Sequence, residues 1–130
     1  MGSFLLNKSP TKVDTLNTAH QSRMLPKKGL KTIAIFQRHG SQWNPDLPVR
    51  EQAYWDEHAR FVDALFAAGT VILAGPFADG SGSLVIVTAE SAEAARAIFR
   101  EDPWAQQDIL VAGEVKEWTI FLDARDKAKG

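Results

Sequence analysis

The sequence predicts an α+β protomer with a four-stranded antiparallel sheet, and three observations lead there. Short β-rich runs and two helical periods follow one another as strand, helix, strand, strand, helix, strand. The order strand, helix, strand thus occurs twice, with no internal repeat of solenoid length. The first three strands are nearly continuous in apolar residues, as expected of a sheet covered on both faces, yet two helices can cover only one.

Each element has its own signal. Lys31 to Phe36 is β-rich and exits at Gly40, and Asn44-Pro45-Asp46-Leu47-Pro48 is loop chemistry, since each proline biases its predecessor away from helix. From about Arg50 to Ala68, Tyr54, Phe61, Val62, Leu65 and Phe66 recur at helical spacing. Glu51, Asp56, Glu57, Arg60 and Asp63 hold the other faces, and Gly69 closes the helix. Val71 to Ala74 runs into Gly75-Pro76, and Asp79-Gly80-Ser81-Gly82 tolerates positive φ before Leu84 to Val87, which predicts a hairpin. Ser91 is the expected N-cap of a second helix, with Glu93 in its first turn. The stripe Ala94, Ala95, Ile98, Phe99 stops before Asp102-Pro103. Val115 to Phe121 alternates as a fourth strand. This is the ferredoxin-like split βαβ order, and the cheapest cover for the open sheet face is the same face of a second copy. The patterning therefore predicts a dimeric α+β barrel and a homodimer.

Composition narrows the function. At 130 residues and 45% hydrophobic content, the chain accommodates one ordinary core. Residues 1–30 keep no period, carry five basic residues against Asp14 alone, and are expected to be a disordered tail; 31–123 form the domain and 124–130 a C-terminal tail. The basic, Ser/Thr-rich start is compatible with a transit peptide but equally with other leading sequence, and it lacks an amphipathic Arg-rich helix. The absence of cysteine removes disulfides and thiolate metal sites and is compatible with a reducing, cytoplasmic setting. A net charge of −1 without a basic stripe argues against nucleic acid, and no apolar run reaches the roughly 20 residues of a membrane span. His20, His39 and His58 lack metal-ligand spacing, and neither a GxSxG elbow nor a P-loop is present, so no metal or cofactor is expected.

His58 carries the chemistry. It lies four residues after Tyr54 and four before Val62, on or beside the stripe that meets the sheet. Such a ring can be a structural histidine bonded to a carbonyl. It can also be a functional one if it finds a partner, and Asp102, left in a turn between the second helix and Pro103, can point toward it. Asp before Pro is also ordinary turn chemistry. Gly75-Pro76 closes a strand where a ligand or another backbone could approach, although the hairpin alone explains it. Trp43, Trp55, Trp104 and Trp118 suit a core, an interface or an aromatic pocket equally. Arg38, at the exit of the first strand, could meet an anionic ligand or stand in a solvated loop.

Trp55-Asp56-Glu57-His58 with Phe61-Val62, then Leu65, Gly69, Gly75-Pro76, Ser91, Ala94 and Asp102-Pro103-Trp104 resembles the YCII-related (YciI-like) family of the dimeric α+β barrel superfamily, over roughly residues 31 to 123. The resemblance implies a homodimer and a small pocket holding a His-Asp pair, which maps onto His58 and Asp102. Gly75, Pro76, Trp55, Trp104 and Arg38 become candidate ligand contacts. Many members carry arginine three residues before the histidine; Trp55 stands there, so anion binding by that arginine does not transfer. Members of the family and superfamily include a dehydrochlorinase of a chlorinated hydroquinone, muconolactone isomerase-like enzymes and haem-associated monooxygenases.

The leading expectation is a small cofactor-free enzyme of lyase or isomerase type, in which His58, oriented by Asp102, moves a proton on a small cyclic or carbonyl-containing metabolite. The alternative is a non-catalytic dimeric binding or accessory module. An enzyme should place His58 at the wall of a solvent-connected cavity, whereas a module should seal it and expose an apolar patch. Haem-linked oxygen chemistry ranks last, because no axial histidine beyond His58 is evident.

Overall fold

The computed structural model describes residues 29–125; most of the tail expected over 1–30, and the last five residues, lie outside the described residues. The elements are β1 (Lys31–His39), a 3-10 turn (Val49–Glu51), α1 (Trp55–Ala67), β2 (Val71–Pro76), β3 (Gly82–Ala89), α2 (Ala92–Phe99), α3 (Pro103–Gln106) and β4 (Leu110–Glu117). They build one antiparallel sheet in the order β2-β3-β1-β4. This is the α+β, ferredoxin-like arrangement that the alternating periods predict.

Alternation assigns the two faces. Ile33, Ile35, Val85 and Val87 point to one side, where they are buried with Val71, Ala95 and Phe99 under α1 and α2. Ala34, Phe36, Leu84 and Ile86 point to the other, which no described element covers. Phe36, Leu73 and Trp118 are exposed on that side, and Phe36 and Trp118 line a shallow groove of about 210 Å³.

The helix caps follow their sequence signals. Ser91 accepts from the Ala94 N–H at 3.0 Å. Gly69 adopts φ 86° after α1, and Gly69 and Thr70 donate back to Phe66 and Leu65.

Four boundaries differ from expectation. β1 continues three residues beyond Phe36, because Arg38 pairs with Gly82 and His39 with Leu110. Continuous helix from Arg50 does not form: Tyr54 sits in the left-handed region (φ 65°), and α1 starts only at Trp55. The side chain of buried Gln52 is drawn into the preceding loop, accepting from Asn44 N and donating to the carbonyls of Asn44 and Leu47. Tyr54 and Phe66, expected on the buried stripe, are exposed, while His58, Ala59, Val62 and Asp63 are buried.

The fourth strand spans Leu110–Glu117, not Val115 to Phe121. Two residues of β4, Gly113 and Glu114, oppose Phe36 of β1 between Ile35 and Gln37, a bulge that interrupts the period of two and disguises the true start. Phe121 and Leu122 lie past the strand and are almost fully exposed. The fourth difference is α3, a single turn without enough residues to show a period.

Candidate active site

His58 projects from the first turns of α1 and is 7% exposed. Asp102 is the N-cap of α3, with Pro103 at N1, where the missing N–H costs nothing. Its Oδ1 accepts from the Trp104 N–H at 2.9 Å, which is ordinary capping. The same carboxylate takes the Nδ1 of His58, at 2.9 Å from Oδ1 and 3.0 Å from Oδ2. Asp102 is 1% exposed, so this pair is made away from water. In the neutral ring this contact selects the Nδ1–H tautomer and leaves the Nε2 lone pair uncommitted. Nε2 has no hydrogen-bond partner among the described residues.

Trp104 organises the surroundings. Its indole is 1% exposed, lies flat on the His58 ring (3.9 Å between centroids, 7° between planes), and donates Nε1–H to the Ala53 carbonyl at 2.7 Å. Trp55 tilts against both rings, 5.7 Å from His58 and 5.6 Å from Trp104. Trp43 meets Trp104 edge to face at 5.8 Å, and His39 stacks on Trp43 at 3.9 Å and 5°. A run of aromatic rings therefore links His39 to His58 and Asp102, and Ile109 and Leu110 back it with aliphatic packing.

Beside this run is an open cavity of about 340 Å³ between the loop after β1, the β2–β3 hairpin and α3. His39, Trp43, Leu47, Pro76, Phe77 and Trp104 stand in its wall. Two glycines make the corner possible. A Cβ on Gly40 would lie 2.2 Å from the Asp108 carbonyl oxygen, and one on Gly82 (φ 154°) 2.2 Å from the Gln37 carbonyl oxygen. Asp108 locks the corner through a carboxylate that accepts from both the backbone and the hydroxyl of Ser41. Those bonds, the hydroxyl's foremost, hold the Asp108 carboxyl below its ordinary value of 3.8.

The structure sorts the candidate residues into three groups. His58 and Asp102 meet directly. Trp104 and Pro76 line the cavity, while Trp55 packs on His58 and Trp104 without reaching the wall. Arg38 and Gly75 belong to neither group. Arg38 alternates with His39 and so points to the open sheet face. Gly75 pairs with Leu84 of that same face, and a Cβ on it would meet nothing within 4 Å, so no close approach explains it. His58 itself is outside the wall: Trp104 belongs both to the wall and to the stack on His58. The residue that sequence reasoning passed over is His39. The signal was present, because His39 is four residues after Ile35 in one strand and must share its helix-facing side.

No curated protein sequence matches the chain significantly. Among solved structures, 5-chloro-2-hydroxyhydroquinone dehydrochlorinase (TftG) from Burkholderia phenoliruptrix AC1100, in complex with 2,5-dihydroxybenzoquinone, is similar with a TM-score of 0.54 and 21% identity, over 69% of this chain and 95% of that one. At that identity the likeness is one of fold, and it agrees with the α+β barrel class. The YCII-related domain matches residues 37–119, a span that holds the His58–Asp102 pair, Gly75-Pro76 and most of the sheet. With the fold, the ordered residues and the domain match in agreement, this chain belongs to the YCII-related family.

Proposed function

We propose that this protein is a small enzyme of lyase or isomerase type, moving a proton on a small cyclic or carbonyl-containing metabolite with His58 as acid–base group and Asp102 as its orienting partner. The observation that carries the reading is the division of labour on one ring: Nδ1 is held by a buried carboxylate, and Nε2 has no partner among the described residues. A carboxylate so placed fixes the tautomer and stabilises the imidazolium formed when Nε2 takes a proton. The dehydrochlorinase activity of the similar structure belongs to the same reaction class.

A second reading, a non-catalytic ligand-binding or accessory module, has its own support. His58 lies behind Trp104, not in the cavity wall, and its side chain is 9% exposed. Incubation with cyclic ketones, enediols and chlorinated hydroquinones in deuterated water separates the two, with C–H exchange and chloride release followed by NMR and ion analysis. Turnover by the wild type that falls about 100- to 10,000-fold in His58→Gln fits the enzyme. No exchange or elimination with any of them, alongside measurable binding, favours the module.

A homodimer through the open sheet face and a cytoplasmic location complete the reading. The exposed Phe36, Leu73 and Trp118 on one flat face support the first. Light scattering should return twice the chain mass for the wild type and a lower mass for Phe36→Glu. No described helix is long and apolar enough to cross a membrane.

A further inference from the structure

We propose that His39 is the side chain through which the cavity beside Trp104 recognises a small planar ligand bearing an acidic hydroxyl, hydrogen-bonding that hydroxyl and taking its proton. The inference rests on the reading of a small cyclic ligand given above and adds the group that touches it. Of the described residues around the cavity, His39 alone carries a titratable side chain; the wall is otherwise aromatic, aliphatic, proline or glycine, with the Ser83 hydroxyl as a second polar group. Few polar groups in an apolar concavity are the usual makings of a ligand site. A volume of about 340 Å³ admits one substituted ring, given that an apolar cavity of about 150 Å³ already takes benzene. Indole faces and edges at Trp43 and Trp104 favour a flat, unsaturated occupant.

The histidine is positioned for this work. Its ring is held parallel to Trp43, and neither ring nitrogen is bonded to another described residue. Its backbone is held by pairing with Leu110 and, one residue on, by Gly40 N donating to Ile109 O at 2.9 Å. Charged groups near the cavity are Arg38, turned to the other sheet face, Asp46 in the loop, Arg50 and Glu51 on the 3-10 turn, Asp79 in the hairpin and Asp108 before β4. Arg50 lies over the Trp55 ring, Asp79 accepts from Ser81 and Asp108 from Ser41, and none of the six is part of the wall. The step is a proton transfer from the hydroxyl oxygen to an imidazole nitrogen, leaving an oxyanion beside an imidazolium. Both charges then sit in a largely apolar cavity, where their attraction is strong.

The test uses the full chain and two chromophores of one shape: 4-nitrophenol, whose phenolate absorbs in the visible, and 4-nitroanisole, which has no hydroxyl proton. Binding is followed by tryptophan fluorescence and the phenolate band at neutral pH. The wild type should bind 4-nitrophenol with a gain of phenolate absorbance. His39→Gln should lose that gain and about tenfold in affinity, while binding 4-nitroanisole like the wild type, which shows that the variant is folded. Equal 4-nitrophenol affinity and phenolate signal in both proteins would overturn the role of His39 and leave the ring pocket standing. Failure of the wild type to bind either probe would overturn the ring pocket and this proposal with it. The His58–Asp102 reading would then still be decided by exchange and chloride release.

Discussion

Two packed regions of this small domain are built on different rules. Between the sheet and helices α1 and α2 lies a mainly aliphatic core of Ile33, Ile35, Val87, Ala95 and Phe99. At the end of the sheet where β1 leaves and β4 begins lies an aromatic corner of Trp43, Trp55 and Trp104, with His39, His58 and Asp102 among them. The first region consists of regular elements whose side chains interchange by area and volume. The second is assembled from a loop, the start of α1, one helical turn and the ends of strands, and its centre is fixed by specific hydrogen bonds at Asp102, His58 Nδ1 and Trp104 Nε1. Stability can be traded within the first region without touching chemistry, and hardly at all within the second.

Substitutions can break that contrast. Trp104→Ala should have the largest effect, about 3–5 kcal/mol in urea unfolding, because it opens a cavity, frees the Ala53 carbonyl and removes the support of the His58 ring. Ile35→Val should cost only about 0.5–1.5 kcal/mol and leave ring binding unchanged. If Ile35→Val abolished ligand binding, the two regions would not be separable.

Asp102→Ala comes next. It removes the cap of α3 and strands the Trp104 N–H and His58 Nδ1, at about 1–3 kcal/mol read as a lowered denaturation midpoint. Asp102→Asn should recover most of that stability, since an amide oxygen still caps, but not the activity, because a neutral amide cannot stabilise an imidazolium. An Asn variant as active as the wild type would reduce Asp102 to a cap.

The smallest effect concerns the clamp between Ser41 and Asp108. The folded carboxyl is held below its ordinary value, so its contribution to stability is complete above that value and disappears as pH falls through the lower, folded one. Asp108→Asn should therefore differ from the wild type at neutral pH and converge with it in strong acid, as followed by thermal melts across pH. Because the carboxylate is exposed, the difference should be small.

How much of this was legible differs between the same two regions. The aliphatic core was, because alternation at Ile33, Ile35, Val85 and Val87 and the helical spacing of Ala95 and Phe99 are properties of adjacent residues. His58 and Asp102 were legible as candidates, through a stripe position and a turn. The α3 turn, the early start of β4 and the break at Tyr54 were not, since one turn has no period, a bulge erases one, and the left-handed Tyr54 accompanies contacts with distant Trp104 and the preceding loop. Charge favours Arg38 over His39 as a ligand contact, although strand parity sets the two on opposite faces.

By itself the sequence determined the class of fold, the order of its elements, the exposed apolar face of the sheet and the family to which the chain belongs, because each depends on local periodicity or on residues in fixed order. Only the tertiary structure decided that His58 and Asp102, 44 residues apart, meet at 2.9 Å, that Trp104 separates them from the cavity, and that His39 stands in its wall. The physical reason is that hydrogen bonds and ring stacking act over a few ångströms, and which distant residues come that close is set by the packing of the whole domain.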